Sequence, residues 1–266
     1  MTTTPILLLG AGRMGGALID GWSRAGAFSA SDILLIDPHP SAEALAAVEA
    51  GAVLNPSDDQ VRTARTVLLA VKPQVWRDAA AAQAERLAPD AVIVSIAAGV
   101  KLADIAQGFG ARAVARIMPT TAVAIGQGVA SIFAPDPVAR ARAHALFEPV
   151  ATVADLEDES LMDAATAVSG SAPAYLYAFV EALEAAGEKA GLPRATAQAL
   201  ARATMAGSAA MMMTSGVDPA ELRRQVTSPN GTTEAALKVL MADDGLGPLL
   251  QRAVDACAAR SRELGR

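Results

Sequence analysis

The chain has 266 residues, of which 52% are apolar and 19% are charged, so it can fold as one large domain or as two. Its net charge of −6 leaves no broad basic surface, which argues against nucleic acid and anionic membranes as partners. The single cysteine, Cys257, and the two histidines, His39 and His144, are too few for a disulfide framework, and we expect no metal centre.

Neither a signal peptide nor a membrane span is predicted. The first residues lead directly into an apolar strand, without the basic and apolar regions of a signal peptide. No uninterrupted apolar run approaches the roughly 18 residues that a membrane span requires. We therefore expect a cytoplasmic protein.

A glycine-rich turn follows the first predicted strand, Ile6–Leu9, and a helix is predicted over Met14–Ala25. In the sequence Gly10-Ala11-Gly12-Arg13-Met14-Gly15, the first glycine permits a tight turn and the second lets a pyrophosphate approach the backbone. The third lets the helix pack closely on the sheet, and the helix start favours phosphate. The spacing predicts a dinucleotide-binding turn, with a purely structural turn as the alternative.

The second predicted strand, Ile33–Ile36, ends at Asp37, which lies 22 residues after Gly15. This is close to the offset at which an acidic residue binds the ribose hydroxyls of a dinucleotide. The position of Asp37 therefore supports nucleotide binding at the glycine turn.

Up to about residue 155, short β-rich runs alternate with helices, which indicates a parallel sheet covered on both faces. After the acidic stretch Asp155–Glu159 only helices are predicted. The later strands are Val67–Val71, Val92–Ile96, Ala113–Ile117, Gly128–Phe133 and Ala151–Val153, with helices over Gln74–Leu87, Pro137–Phe147, Leu161–Val168, Pro173–Ala190, Pro193–Met213, Pro219 onward, Thr232–Ala242 and Pro248–Leu264.

We therefore predict an α/β fold: an N-terminal Rossmann-type, doubly wound sheet over residues 1–158, followed by an all-α dimerisation domain over 159–266. The helices of the second half are apolar on more than one face, with rows of small residues such as Ala199, Ala203 and Ala206. So much apolar surface on about a hundred residues suggests that another subunit covers part of it.

Three further segments carry specific signals. Ala70-Val71-Lys72-Pro73-Gln74 stands at the carboxyl end of a predicted strand, where Lys72 is either a surface charge or a ribose or phosphate contact. The small residues of Ser169–Tyr175 permit close approach of backbone. Thr227–Glu234 combines glycine and hydroxyl side chains with a helix start, which suits a carboxylate; a capped turn is the alternative.

With the glycine turn and Val94–Gly99, these segments make the chain resemble the pyrroline-5-carboxylate reductase family, from the first strand to the last helix. The resemblance implies a Rossmann domain followed by a helical domain that dimerises, with the substrate site where the helical domains of two subunits interleave. It implies NADPH or NADH as cofactor and a cyclic imino acid as substrate. The reaction would be reduction of 1-pyrroline-5-carboxylate to L-proline, the last step of proline biosynthesis.

Carried over by position, the resemblance and the Asp37 offset give a set of expected site residues. The hydroxyl of Thr233 would meet the ring nitrogen, which makes Thr233 the predicted catalytic residue. The substrate carboxylate would lie on Ser228, Asn230, Gly231, Thr232 and Thr233. The cofactor would bind Leu9, Gly10, Ala11, Gly12, Arg13, Met14, Gly15, Asp37, Asn55, Ala70, Val71, Lys72 and Pro73.

Three departures from the family pattern bear on the expected site. Thr120 replaces an asparagine, which removes an amide near the nicotinamide. Asn230 replaces a glycine, and asparagine tolerates a positive φ better than most residues, so the loop is expected to keep its shape. Asp37 would repel the 2′-phosphate of NADPH, so we expect NADH to serve at least as well as NADPH.

Three other functions are compatible with parts of the sequence to different degrees. A hydroxyacid dehydrogenase needs a proton donor, typically a lysine early in the long helix after the small-residue turn, whereas the first lysine of the helix predicted over Pro173–Ala190 is Lys189. An imine reductase that acts on a different ring stays open. A cofactor-sensing regulator without turnover is the alternative from another class, although it has no reason to keep the Ser228–Thr233 loop.

Overall fold

The computed structural model describes residues 2–264. They form two compact units: residues 2–171 with 256–264, called the sheet unit, and residues 172–255, called the helical unit. Residues 159–171 fall in the sheet unit because Met162 and Ala167 are buried and Gly170 lies against Met118. The division into two domains at residue 158 stays a prediction.

The sheet has eight strands in the order β3-β2-β1-β4-β5-β6-β7-β8. All neighbours pair in parallel except β6 and β7, which are antiparallel. The strands are β1 Ile6–Leu9, β2 Ile33–Ile36, β3 Val53–Leu54, β4 Thr66–Leu69, β5 Val92–Ser95, β6 Val114–Pro119, β7 Gly128–Phe133 and β8 Ala151–Asp155.

Three helices of the sheet unit, α2, α3 and α6, begin at a residue whose side chain caps the first turn. The hydroxyl of Ser41 accepts the N–H of Ala44 at the start of α2. The Asp136 carboxylate caps α6, with Pro137 at the first helical position. The helices are α1 Arg13–Ala25, α2 Ala42–Glu49, α3 Asp58–Thr63, α4 Trp76–Gln83, α5 Leu102–Gly108, α6 Pro137–Phe147 and α7 Met162–Ala165.

Apolar side chains fill both faces of the sheet. Ile6 and Leu8 of β1 pack in one cluster with Trp22, whereas Leu7 and Leu9 pack in the other with Trp76. Successive residues of a strand point to opposite faces, so a continuous apolar run requires cover on both sides. The predicted doubly wound sheet is therefore confirmed.

Two features of the sheet differ from the sequence prediction. The β6–β7 pair is antiparallel because the segment between the strands holds one short turn, Thr121–Ile125, which is too short to recross the sheet. The strand β3 was missed because it has two residues and no periodic pattern.

Two predicted helices of the sheet unit also need correction. The helix predicted over Gln74–Leu87 is shorter, since α4 begins only at Trp76, after a turn in which Val75 N–H donates to Lys72 O. The helix predicted over Leu161–Val168 ends early and continues as a π-helical turn, Thr166–Gly170.

The helical unit contains long helices with little burial. The 18 residues of α8 include no buried side chain, and only Ala197 and Ala201 are buried among the 22 residues of α9. An ion pair joins the two helices, with Arg202 Nε 2.7 Å from Glu184 Oε1. The helices are α8 Ala172–Lys189, α9 Arg194–Ser215, α10 Pro219–Gln225, α11 Thr232–Leu240 and α12 Leu246–Leu264, of which residues up to 255 belong to this unit.

His144, which the sequence analysis assigned to no site, joins two elements. Its Nδ1 lies 2.7 Å from Glu148 Oε1 on α6, and its Nε2 lies 3.0 Å from Asp155 Oδ2 on β8. Partial burial lowers the pKa of His144, but the hydrogen bonds and charges of the two carboxylates outweigh burial, so the net pKa is raised. Cys257 is partly buried and its thiol donates to Ser171 Oγ over 3.2 Å.

Candidate active site

The three glycines of the turn after β1 are required for three different reasons. A Cβ on Gly10, whose φ is +93°, would lie 2.9 Å from the backbone nitrogen of Val71. A Cβ on Gly15 would lie 2.5 Å from Gly10 O, so this glycine lets α1 approach the strand. At Gly12 there is open space, with nothing within 4 Å of where a Cβ would be. The backbone of Gly12 is therefore open to a phosphate.

The turn lies beside the corner that follows β4. Ala70 N–H donates to Leu9 O over 2.8 Å, and a Cβ on Gly10 would also come within 2.9 Å of Val71 Cγ1. Lys72 is exposed, while Pro73 is half-buried. The structure thus brings the predicted residues of the two strand ends together at the carboxyl edge of the sheet, where parallel sheets bind nucleotides.

Asp37 is held against the glycine turn by two hydrogen bonds. Its Oδ2 accepts the N–H of Ala11 over 2.6 Å, and its Oδ1 accepts the N–H of His39 over 2.7 Å. Ala11 O in turn accepts the N–H of Ser41 over 3.1 Å. The carboxylate is therefore part of the turn itself, at the edge where a ribose would lie.

Asn55 also stands at the carboxyl edge of the sheet. It follows β3, is exposed, and has a φ of +50°, while its N–H donates to Leu35 O over 2.7 Å. A positive φ in a residue other than glycine is uncommon and is best tolerated by asparagine and aspartate. This conformation fixes the start of the segment that leads to α3.

The sequence analysis missed a further pair of polar residues beside the turn. A Cβ on Gly16 of α1 would meet Ser41 Oγ at 2.6 Å and Glu43 Oε2 at 2.9 Å. The backbone N–H of Glu43 and the hydroxyl of Ser41 lower the pKa of the Glu43 carboxyl. The signal that could have found them is the serine cap at the start of α2. This serine follows Pro40 and lies four residues after Asp37, the acidic residue that follows β2.

The predicted substrate loop lies in the helical unit and has a defined shape. Asn230 adopts a φ of +57°, so the asparagine occupies the left-handed region that a glycine would favour. Its N–H donates to Glu234 Oε2 over 2.6 Å, and Gly231 N–H donates to Ser228 O over 3.0 Å. The loop conformation expected for Asn230 is therefore present.

Gly231 is the cap residue of α11 and has no side chain to occupy the first N–H groups of the helix. Ser228, Asn230 and Thr232 are exposed, and Thr233 is half-buried in the first turn. Lys238 Nζ lies 3.7 Å from the Glu234 carboxylate, which offsets part of its charge. The arrangement offers hydroxyl groups and a positive helix end to an anion.

Thr120, the residue that replaces an asparagine of the family pattern, has a structural use. It is buried, its Oγ1 accepts the N–H of Val129 over 3.0 Å, and its own N–H donates to Val129 O over 2.9 Å. These bonds close the antiparallel end of β6 and β7. Its side chain is therefore tied to the strand ends.

Residues 2–264 contain neither a candidate membrane span nor a candidate metal site. No helix there is long and apolar enough to cross a membrane. No group of three or more histidine, cysteine, aspartate or glutamate side chains in the same range is arranged to hold a metal ion.

Matches to family models agree with this geometry. Residues 5–99 match the model described as NADP oxidoreductase, coenzyme F420-dependent, and residues 159–264 match the model described as pyrroline-5-carboxylate reductase dimerisation. Together with the Rossmann-type sheet and its glycine turn, the first match defines an NAD(P)-dependent oxidoreductase.

Relatives narrow this class. The chain is 42% identical to a pyrroline-5-carboxylate reductase of Pseudomonas aeruginosa, over 99% of this chain and 98% of that protein. It is 37% identical to one of Pisum sativum, over 96% and 94%. The solved structure of a pyrroline-5-carboxylate reductase from Coxiella burnetii is similar with a TM-score of 0.90 and 29% identity, over 100% of both chains. The chain belongs to the pyrroline-5-carboxylate reductase family.

Proposed function

We propose that the protein catalyses the NAD(P)H-dependent reduction of 1-pyrroline-5-carboxylate to L-proline, the last step of proline biosynthesis. The observation that carries this proposal is the shape of the Ser228–Thr233 loop. Asn230, which replaces a glycine of the family pattern, adopts the positive φ that a glycine favours. The near full-length similarity to two reductases of this name supports it.

The residues of the sheet unit fit a dinucleotide. The open space at Gly12 lets phosphate oxygens reach the first N–H groups of α1, which carry the positive end of the helix dipole. The backbone from Leu9 to Gly15 would hold the pyrophosphate, and Asp37 and Asn55 would contact the ribose side. Ala70 to Pro73 would lie along the nicotinamide half. When bound, the reduced nicotinamide supplies a hydride to the C=N carbon.

The substrate loop would orient the ring through its carboxylate. The exposed start of α11 and the hydroxyls of Ser228 and Thr232 present donors to a carboxylate, and an anion at a helix N-terminus is favoured by about 0.3–1 kcal/mol from the dipole alone. Fixing the carboxylate limits the orientations of a five-membered ring, which lowers the entropic part of the barrier.

Thr233 would act on the ring nitrogen. An imine nitrogen can be protonated before hydride arrives, so the protein needs no strong general acid, and no lysine occurs between Lys101 and Lys189. The Thr233 hydroxyl would stabilise the nitrogen as its charge is lost. Its half-buried position in the first turn of α11 restricts its rotation.

The test is loss of the nicotinamide absorbance when pyrroline-5-carboxylate is added to the purified protein. We expect turnover by the native protein, and a kcat about 10- to 100-fold lower for the isosteric Thr233→Val variant, the scale of losing a hydrogen bond to a charged group. Thr233→Ser keeps the hydroxyl and should retain most of the rate.

The outcomes separate the claims. Cofactor binding without turnover would favour a sensing regulator over an enzyme. Full turnover by Thr233→Val would remove this residue from the mechanism and leave the reaction assignment intact. Faster turnover with a six-membered cyclic imino acid than with the five-membered one would transfer the assignment to another ring.

Self-association through the helical unit completes the proposal. Leu176, Tyr177 and Phe179 on α8 are exposed, as are Met211 and Met213 on α9, which is more apolar surface than a monomer usually leaves in water. The match of residues 159–264 to a dimerisation model supports this role. Sedimentation of the purified chain should give a dimer or a larger assembly. A cytoplasmic location stays a prediction from the sequence.

A further inference from the structure

The edge of the sheet opposite the glycine turn carries an open cavity of about 560 Å³. Arg65, Ala91 and Ala113 line it, and each stands immediately before a parallel strand, β4, β5 or β6. The cavity is therefore at the amino ends of these strands, whereas Gly10 and Ala70 follow carboxyl ends. Strands of four residues separate the two edges by about 13 Å.

The unusual residue of this cavity is Arg142 on α6. Its side chain is buried, with 8% of the residue exposed, and its Nε and Nη1 atoms are enclosed without any hydrogen-bond acceptor among the described residues. Buried guanidinium groups in proteins are normally paired, because a desolvated charge without a partner is costly. Arg142 and Val138 also line a second cavity of about 320 Å³.

The neighbouring charges do not supply the missing partner. Arg65 and Asp90 pair with each other over 2.9 Å at the rim, and the Asp136 carboxylate accepts the N–H groups of Val138 and Ala139. Arg112, which also lines the cavity, donates to the carbonyl oxygens of Leu87, Ala88 and Phe109. Within residues 2–264 neither Arg112 nor Arg142 forms a salt bridge, and the lining holds three arginines (Arg65, Arg112 and Arg142) against two carboxylates (Asp90 and Asp136), so its net charge is positive.

The electrostatics agree with this geometry. Burial lowers the pKa of Arg142, the positive charge of Arg65 lowers it further, and Asp90 acts in the opposite direction. Burial also lowers the pKa of Arg112. An arginine stays protonated at neutral pH in spite of such shifts, so the positive charge remains in the cavity and favours an anion.

We propose that this cavity is a binding site for the oxyanion group, carboxylate or phosphate, of a small metabolite, with Arg142 as the residue that the anion neutralises. Since Nε and Nη1 are enclosed, Nη2 would be the nitrogen that contacts the ligand. A volume of about 560 Å³ accommodates a small molecule attached to the anion. The cavity lies at the opposite edge of the sheet from the glycine turn, so an anion bound there would not occupy the cofactor site.

The experiment measures thermal unfolding of the full chain with inorganic phosphate or succinate, at an ionic strength held constant with NaCl. A ligand that binds only the folded state raises Tm with the logarithm of its concentration. Arg142→Met keeps an unbranched apolar stem and removes the charged guanidinium group. We expect its Tm without ligand to equal or exceed that of the native protein, because an unpaired charge is removed. The rise in Tm that the ligand produces should be clearly smaller in Arg142→Met than in the native protein.

Arg24→Met is the matched control, because Arg24 is an exposed arginine of α1 that lines neither of the two cavities. It should keep the full ligand-induced rise. A rise with phosphate alone assigns a phosphate-bearing ligand, with succinate alone a carboxylate, and with both a general oxyanion site. No rise above the NaCl control in the native protein overturns the proposal, as does an equal rise in Arg142→Met.

A second variant keeps the proposal open to failure if Arg142→Met does not fold. The side chain of Asp90 is 69% exposed, so Asp90→Asn should leave the fold intact. This substitution removes the carboxylate that competes with a ligand for Arg65. It also removes the negative charge that partly offsets the positive charge of Arg65 near Arg142. We expect anion affinity, measured by calorimetry, to rise several-fold. Unchanged or weaker affinity contradicts the proposal.

Discussion

The sheet unit and the helical unit bury their apolar residues to different extents. Every residue of β1, β4 and β5 is buried, whereas α8 has no buried residue along 18 positions. Both units are rich in apolar side chains, so composition does not explain the difference. The sheet unit obtains its hydrophobic stabilisation within one chain, while the helical unit leaves apolar surface for a partner to cover.

The largest effect should come from comparing one leucine in each unit. Leu68 of β4 is 0% exposed, and Leu68→Ala should lower the free energy of unfolding by about 2–5 kcal/mol. Leu183 of α8 is 42% exposed. Leu183→Ala should therefore lower the free energy of unfolding only at protein concentrations at which chains associate. Urea unfolding at several protein concentrations measures both.

Sedimentation of the Leu183→Ala variant is the companion measurement, and a weaker association constant is expected. If Leu183→Ala destabilised the chain equally at all concentrations, the apolar face of α8 would be packed within the monomer. The comparison between the units would then fail.

A smaller effect should distinguish two glycines of the turn. Gly10→Ala places a Cβ against Val71 at a φ of +93°, and should cost about 1–3 kcal/mol of stability. Gly12→Ala enters open space, so it should leave Tm nearly unchanged and weaken cofactor binding. Thermal melts with and without NADH separate the two effects. Equal losses of stability in both variants would argue against the assigned roles.

Asp37 tests cofactor choice on the same turn. Its carboxylate should disfavour a 2′-phosphate, so native kinetics should give a kcat/KM for NADH at least equal to that for NADPH. Asp37→Ser should shift the ratio several-fold toward NADPH. Because the two cofactors are compared in one protein, a loss of folded protein cancels from the ratio. A large preference of the native protein for NADPH would reject the hypothesis.

The smallest expected effect is a pH dependence at His144. Its folded pKa is raised, so its stabilisation is complete below the unfolded pKa of about 6.5 and is lost as pH rises through the folded pKa. The difference in unfolding free energy between native protein and His144→Gln should be below about 1 kcal/mol. This free-energy difference should be larger near about pH 5.5, below the unperturbed histidine pKa of about 6.5, than near about pH 8.5, above it. The opposite trend would contradict the assigned hydrogen bonds.

Much of the sheet unit could be predicted from the sequence. Apolar runs flanked by turn residues locate β1, β2 and β7 at their observed bounds, because strands buried on both faces need continuous apolar sequence. The glycine turn was predicted with its three separate roles, since each role depends on local geometry. The shape of the Asn230 loop could also be predicted, because its φ is a local property.

The remaining features depend on residues far apart in the chain. His144 meets Asp155 only because α6 and β8 pack together, and nothing in the spacing of the two residues indicates a hydrogen bond. Arg142 is one of two arginines on α6, and nothing in the sequence distinguishes it from Arg140; its burial without a partner is visible only in three dimensions. The π-helical turn after α7 has no composition that distinguishes it from the predicted helix.

The hydrogen bond from Ala11 N–H to Asp37 has a consequence for how tightly a nucleotide can bind. It fixes the loop after β2 and the glycine turn in one arrangement before any ligand arrives. The conformational freedom of these segments is therefore lost during folding, and little is left to lose on association. Calorimetry of NADH binding to native protein and to Asp37→Ser should register this as a less unfavourable binding entropy in the native turn.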